Sequence, residues 1–170
     1  RTGKPPPERE PCSMIVDLHT RIWESTDQLG QAAEQFRRRR SEPWQRSTVS
    51  FEDHELAMSP VAEAVILGFE STLLGACIPH EKVAEYVERR PQRYVGLAGI
   101  DPTAGDPVRS LERAQRLGLA GAVVSPAAQG FHPANTRAMA LYEACQSQGL
   151  PVFVESGAML ARQAKMEFSQ

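Results

Sequence analysis

Three side chains that could take part in chemistry stand at the ends of two apolar segments. His19 and Arg21 occupy alternate positions at the end of the first segment, and Glu155 directly follows the second segment. Because side chains alternate between the two faces of a strand, His19 and Arg21 are expected to point in the same direction. Histidine and glutamate can ligate a metal, whereas arginine is permanently cationic and has no lone pair to donate. What these residues can do therefore depends on the elements that position them.

Short apolar segments alternate with amphipathic segments along most of the chain. Continuous apolar runs are typical of strands covered on both faces, and an apolar spacing of i, i+3, i+4, i+7 is typical of helices. Asp106 and Pro107 favour a helix start, and Gly118 and Gly149 favour helix ends. The alternation predicts right-handed βαβ units and a parallel sheet. The predicted strands are residues 14–19, 64–69, 94–100, 121–125 and 151–155, and the predicted helices are residues 79–90, 106–117 and 135–148.

Two regions fall outside this alternation. Residues 1–13 are polar and rich in proline, which predicts a flexible tail before a single domain at residues 14–170. Within that domain, residues 24–59 form a charged excursion, in which we expect a helix at about residues 27–40 and a solvated His54. The Arg37–Arg40 run could bind phosphate or RNA. A solvated or partner-facing surface is favoured, because four consecutive arginines spread around a helix.

The composition excludes several classes of partner. The net charge of −2 provides no bulk attraction to nucleic acid or to an anionic membrane, so neither is expected to bind. No apolar run approaches the roughly 18–20 residues that a membrane-spanning helix needs. Cys12, Cys77 and Cys145 are odd in number and widely spaced, which favours reduced cysteines and a cytoplasmic location.

Two architectures are compatible with five strands separated by helices. One is an open, doubly wound sheet, and the other is a (β/α)₈ barrel. A barrel needs about eight strands and roughly 250 residues, so a length of 170 residues by itself favours the open sheet. No glycine-rich dinucleotide-binding fingerprint follows the first strand, which removes the usual nucleotide-binding version of the open sheet.

Several segments resemble, in the same order, those of one known family. Residues 17–23 have the sequence DLHTRIW, residues 90–102 have RPQRYVGLAGIDP, and residues 149–157 have GLPVFVESG. These segments are similar to the amidohydrolase-related family that includes the aminocarboxymuconate semialdehyde decarboxylase-like, metal-dependent hydrolases. The resemblance implies a (β/α)₈ TIM barrel instead of the open sheet. It also implies that this chain holds an incomplete barrel of about five βα units, with the remaining strands expected beyond Gln170.

The resemblance further implies one divalent metal, typically zinc, at the carboxyl-terminal mouth of the barrel. His19 stands at the first ligand position, but Arg21 replaces a second histidine and Glu155 replaces the histidine of the fifth strand. Our preferred hypothesis is that Arg21 and Glu155 form a buried ion pair and that this chain holds no metal. A one-metal site that uses His19 and Glu155, or a site rebuilt from other residues, remains the alternative.

Three further residues are candidates for the barrel mouth. Asp101, His80 and His132 all follow predicted strands, on the side where barrel enzymes bind substrate. Each also has an ordinary interpretation, Asp101 as part of a turn and the histidines as loop residues.

Three classes of function are compatible with the sequence. The first hypothesis is metal-dependent hydrolysis or decarboxylation of a small carboxylated or amide substrate, and it rests on the resemblance. The second is a non-catalytic barrel that serves as a scaffold in a homo- or hetero-oligomer, which the loss of ligands favours. A small, complete α/β binding domain is the third.

Overall fold

A computed structural model describes residues 14–33, 50–157 and 161–169. Its main feature is a parallel sheet of five strands, β1 (Val16–Thr20), β2 (Glu63–Leu67), β5 (Tyr94–Gly99), β6 (Ala122–Val124) and β7 (Val152–Val154). A separate antiparallel hairpin is formed by β3 (Phe69–Ser71) and β4 (Ala76–Ile78). The proposed tail at residues 1–13 and the Arg37–Arg40 run lie outside the described residues.

Helices connect the strands much as the sequence predicts. They are α1 (Phe51–Ala57), α2 (His80–Glu88), α3 (Pro107–Arg116), α4 (Pro126–Gln129) and α5 (Thr136–Ser147). Short 3₁₀ helices occupy Thr26–Ala32 and Met166–Phe168. The Asp106 side chain caps α3 by accepting hydrogen bonds from the amides of Val108 and Arg109. None of the described helices is long and apolar enough to cross a membrane.

The strand order identifies the architecture. The five strands lie side by side in the order β1-β2-β5-β6-β7, so each pairs with the main-sheet strand that precedes it in the chain. A doubly wound sheet would reverse direction at a switch point, whereas winding in one direction curls a sheet into a barrel. The described strands therefore form a curled half-barrel. The expectation of an open sheet from length alone is wrong, because half of a barrel needs no more chain than this.

The three central strands β2, β5 and β6 are largely buried on both faces, as continuous apolar runs require, whereas the outer strands β1 and β7 are more exposed. Leu67, Leu97 and Val123 form a small cluster on one face, which is the inside of the curl. The other face packs beneath the helices in the larger cluster, to which the neighbouring residues Ile66 and Ala98 belong. Alternate residues of a strand thus point into different layers. A strand-end side chain that lies two residues after a member of the inner cluster therefore also points to the inner side.

The second predicted strand ends earlier than expected. Residues 64–69 were predicted as one strand, but β2 ends at Leu67 and Phe69 begins the hairpin. The break occurs at Gly68, where a Cβ atom would lie 2.4 Å from the backbone nitrogen of Gly99. Strands β2 and β5 approach so closely at this point that only glycine fits. The hairpin then leaves the barrel wall just beyond the strand ends.

The described parts of the charged excursion, residues 24–33 and 50–59, contain helices, and several buried side chains that the sequence did not indicate. A helix at residues 27–40 was predicted, but the described part is a 3₁₀ helix with a break at Gly30, which has a φ of +48°. Gly30 lies against the carbonyl groups of Leu74 and Gly75 in the hairpin, where a side chain would collide. The excursion is therefore fastened to the hairpin, and Gln31 donates a backbone hydrogen bond of 2.9 Å to Leu74.

The prediction that His54 is solvated is wrong. His54 lies on α1 and is only 5% exposed. Its Nε2 atom is 2.8 Å from the Thr20 hydroxyl oxygen on β1, and its Nδ1 atom is hydrogen-bonded to the Tyr86 hydroxyl on α2. A neutral imidazole can donate at one nitrogen and accept at the other, so both hydroxyl groups are satisfied. His54 thus fastens the excursion to the barrel through one strand and one helix.

This environment predicts a pH-dependent stability. Burial lowers the pKa of His54 below its usual value of 6.5, although the carboxylates of Glu55 and Asp17 act in the opposite direction. The unfolded chain therefore takes up the proton first as the pH falls. The free energy of unfolding should be fully retained above pH 6.5 and should decrease as the pH falls through the folded pKa.

Denaturant unfolding between pH 7.5 and pH 5 measures this effect. His54→Gln should lower stability at neutral pH by about 1–2 kcal/mol, because two buried hydrogen bonds are altered, and should flatten the pH dependence. His132→Gln, at an exposed loop position, is the matched control and should keep the wild-type profile. An unchanged pH profile in His54→Gln would contradict the assignment.

Candidate functional site at the barrel mouth

The strand ends bring His19, Arg21 and Glu155 together. His19 lies in β1 and Arg21 directly follows that strand, while Glu155 directly follows β7. Strands β1 and β7 are the two outermost strands of the sheet, so their ends can meet only because the sheet curls. The structure thus brings the side chains of these three residues into contact.

The Glu155 carboxylate is the centre of this group. Its Oε1 atom accepts a hydrogen bond from Arg21 Nη2 and another, 2.7 Å long, from His19 Nε2. Its Oε2 atom accepts a hydrogen bond from the Ser125 hydroxyl group at the end of β6. The guanidinium carbon of Arg21 lies 5.0 Å from the centre of the Phe69 ring. Both carboxylate oxygens are therefore engaged by donors from other strands.

The ion pair is largely shielded from solvent. The side chains of Arg21 and Glu155 are 19% and 14% exposed, whereas the His19 side chain is 56% exposed. Burial by itself raises the pKa of Glu155, but the Arg21 cation and the hydrogen bonds from Ser125, Arg21 and His19 outweigh burial and hold this pKa below its usual range. Glu155 is accordingly an ionised acceptor and a weak base at neutral pH.

The side chains around Glu155 offer fewer ligands than a zinc site normally has. A catalytic zinc site usually has three protein ligands, and among the described side chains in contact here His19 and Glu155 offer suitable atoms. Arg21 places a permanent positive charge beside Glu155, which would repel a metal cation. Within the described part of the chain, no group of three or more histidine, cysteine, aspartate or glutamate side chains is arranged to hold a metal ion.

Asp101 is hydrogen-bonded to loop residues and not to the ion pair. It is 1% exposed and accepts hydrogen bonds from the amide nitrogens of Thr72 and Thr103 and from the Thr103 hydroxyl group. These contacts join the turn after β5 to the hairpin. Asp101 therefore stabilises the contact between these two loops and makes no hydrogen bond to Glu155.

The two loop histidines also lie apart from the ion pair. His80 begins α2, and its Nε2 atom donates a 3.0 Å hydrogen bond to the carbonyl oxygen of Gly99. His132 is exposed, and its Nδ1 atom accepts a 3.1 Å hydrogen bond from the amide of Ala134. Neither contacts His19, Arg21 or Glu155.

Ser125 and Phe69 are members of the site that the sequence analysis did not single out. Ser125 is 3% exposed and stands at the end of β6, in the same relation to its strand as Glu155 to β7. Its position at a strand end, directly before Pro126, is the sequence feature that could have marked Ser125 as a site residue. Phe69 had no such signal, because it was expected as the apolar last residue of a buried strand.

The sequence matches one family model. The model, described as Amidohydrolase, matches residues 16–170. No curated protein matches the sequence significantly.

Solved structures show the same fold at low sequence identity. An uncharacterised TIM-barrel protein from Bordetella bronchiseptica has a TM-score of 0.60 and 16% identity, and the match covers 86% of this chain and 57% of that one. A 5-carboxyvanillate decarboxylase from Novosphingobium aromaticivorans, complexed with manganese, has a TM-score of 0.62 and 13% identity. That match covers 85% of this chain and 50% of that one. A probable 2-pyrone-4,6-dicarboxylic acid hydrolase from Acinetobacter baumannii has a TM-score of 0.52 and 16% identity. That match covers 82% of this chain and 48% of that one. The chain thus spans about half the length of these structures.

A double-mutant cycle should detect the coupling of the buried pair. Arg21→Met leaves the Glu155 carboxylate buried without its cation and should lower the free energy of unfolding by about 3 kcal/mol. Adding Glu155→Gln removes that charge while keeping an acceptor for Ser125, so the double variant should be more stable than Arg21→Met alone.

The exposed pair of Arg113 and Glu81 is the matched control. Their side chains are 64% and 40% exposed. The equivalent cycle, with Arg113→Met and Glu81→Gln, should give a coupling below about 1 kcal/mol. Additive effects of the two mouth substitutions, measured by denaturant unfolding, would show that Arg21 and Glu155 are not coupled.

Proposed function

Because the chain belongs to the amidohydrolase family, we propose that it is a member in which an ion pair replaces the divalent metal at the barrel mouth. The contact between Arg21 and Glu155 carries this proposal. It links the strand ends at which the family resemblance leads us to expect histidine ligands. The guanidinium group supplies a fixed positive charge, so Glu155 needs no metal to neutralise it.

This replacement removes the main source of hydrolytic chemistry. A divalent metal lowers the pKa of bound water from about 15.7 to about 7, and a guanidinium group cannot do this because it does not ligate water. Glu155 cannot compensate as a general base, because its pKa is lowered and both of its oxygens already accept hydrogen bonds. We therefore propose that these residues support no metal-dependent hydrolysis or decarboxylation.

The family origin still indicates which small molecules deserve testing. The structural neighbours include proteins described as a 5-carboxyvanillate decarboxylase and a probable 2-pyrone-4,6-dicarboxylic acid hydrolase. Both names refer to carboxylated compounds. Small carboxylated substrates are therefore the class on which any residual activity of this chain would be sought.

Metal analysis of the purified protein tests the proposal. We expect the wild-type chain, after incubation with zinc or manganese and desalting, to retain far less than one metal ion per chain. The double variant Arg21→His with Glu155→His places three imidazoles at the strand ends, with His19 as the third, and should retain metal in near-stoichiometric amounts.

Two controls make this result decisive. The same double substitution combined with His19→Ala removes one imidazole and should abolish the gained retention. Decarboxylation of 5-carboxyvanillate, assayed with added manganese, should be absent in the wild-type chain. Stoichiometric, tightly held metal in the wild-type protein would contradict the proposal.

The second candidate function is that of a non-catalytic barrel subunit that associates with a partner chain. Met14, just before β1, and Val16 and Leu18 within it occupy alternate positions and are 67%, 41% and 58% exposed. An exposed row of apolar side chains on an outer strand is a typical protein-protein contact. This row supports a homo- or hetero-oligomer in which the barrel acts as a scaffold.

Light scattering coupled to size-exclusion chromatography tests the scaffold candidate. The wild-type chain is expected to elute as an oligomer, and Leu18→Ser should shift it to a smaller mass, because a polar side chain weakens apolar association. Leu56→Ser is the matched control, since Leu56 is 76% exposed on α1 and is not part of the row, and should leave the mass unchanged. A monomeric wild-type chain would exclude self-association through this row.

A further inference from the structure

A pocket that includes none of the ion-pair residues lies between the hairpin and helices α2 and α3. We call it the hairpin pocket. It has a volume of about 380 Å³, near the lower end of the roughly 300–1,000 Å³ usual for ligand sites. That volume suits a molecule of a few heavy atoms. The residues that line it are Glu70, Cys77, Ile78, Pro79, His80, Glu81, Gly99, Arg109, Ser110 and Arg113.

The floor of the hairpin pocket presents hydrogen-bond acceptors. Glu70 and Cys77 are paired across the hairpin, so their side chains emerge on the same face. His80 donates from Nε2 to the Gly99 carbonyl, which makes Nδ1 an acceptor in the neutral ring. Among the described residues, Nδ1 of His80 has no hydrogen-bond partner.

Glu70 is a half-buried carboxylate without a counterion. Its Oε2 atom accepts a 3.2 Å hydrogen bond from the amide of Asp101, and no lysine or arginine of the described residues forms an ion pair with it. Burial raises the pKa of Glu70, and the nearby Asp101 carboxylate adds to this effect. A positively charged group bound beside Glu70 would offset both the cost of burying the carboxylate and its repulsion by Asp101.

The opposite wall of the hairpin pocket carries arginines from α3. Arg113 is engaged by Glu81. Arg109 is 85% exposed and has only a 3.7 Å contact with Asp106, one turn away on its own helix. A guanidinium group presents a planar set of donors that suits a carboxylate, so Arg109 is the available anion-binding group.

We propose that the hairpin pocket binds a small free amino acid, with its ammonium group at Glu70 and His80 and its carboxylate at Arg109. Acceptors on one wall and a cation on the other complement a zwitterion, and neither a simple amine nor a simple acid would use both walls. The proposal concerns a site that shares no residue with the ion pair at the barrel mouth, and it stands or falls separately from the proposed loss of the metal.

Isothermal titration calorimetry of the whole chain tests the proposal. Glycine, β-alanine and 4-aminobutyrate serve as zwitterions with increasing charge separation, and methylammonium and acetate serve as the two half-ligands. At least one zwitterion is expected to bind at least about tenfold more tightly than either half-ligand, since each charge-assisted hydrogen bond contributes about that factor or more.

Three variants locate the binding site. Glu70→Gln and Arg109→Ala should each weaken zwitterion binding by about tenfold or more. Arg116→Ala on the same helix is the control, because Arg116 does not line the pocket, and should bind like the wild type. Circular dichroism establishes that Glu70→Gln is folded, and Arg109, being exposed, can be replaced without loss of core packing.

Several results would overturn the proposal. They are no heat of binding for any zwitterion at millimolar concentration, equal binding of methylammonium and glycine, or unchanged binding in Arg109→Ala. Equal weakening by Arg116→Ala would also overturn it, because the effect would then arise from the overall charge of α3.

Discussion

The contact between the partly buried Arg21 guanidinium group and the partly buried Glu155 carboxylate constrains the whole mouth of this half-barrel. Removing either charge from water costs several kcal/mol, and only close, well-oriented contact between the two repays that cost. Arg21 and Glu155 belong to the ends of the first and last strands of the sheet. Their contact can therefore persist only while the sheet keeps its curl, and any flattening would separate the charges.

This constraint explains the supporting contacts. Ser125 donates a hydrogen bond to the second carboxylate oxygen, and Phe69 lies beside the guanidinium group. His19 donates a further hydrogen bond from the exposed side. Each comes from a different strand end or from the hairpin, so the pair is held from several directions. In the family that the chain belongs to, the resemblance implies that a metal joins the same strand ends. An ion pair can perform this joining role without providing the chemistry of a metal.

The sequence allowed most of the fold to be predicted, because strands buried on both faces leave continuous apolar runs. The strand at residues 94–100 and the helix beginning at Pro107 were predicted almost to the residue, since alternation and capping are local signals. The break at Gly68 was missed, because it arises from contact with Gly99, which is remote in the sequence. His54 was placed in solvent for the same reason, since its partners Thr20 and Tyr86 belong to other elements.

Some features of the candidate site could likewise be predicted from the sequence, and others could not. The pairing of Arg21 with Glu155 was expected, because the family resemblance placed both at one mouth and opposite charges buried together must pair. The engagement of Ser125 and the separation of Asp101, His80 and His132 from the pair depend on side-chain directions in loops. No local pattern in the sequence determines those directions.

The strand order has a consequence for how the chain acquires its shape during synthesis. Since each strand of the main sheet pairs with one that precedes it, a strand leaving the ribosome finds its template already formed. The sheet can grow one strand at a time, and each step closes a loop of modest length. The Arg21–Glu155 contact is different, because it joins the two outermost described strands and can form only after β7 has paired with β6. Its formation therefore follows the local pairing steps of these five strands.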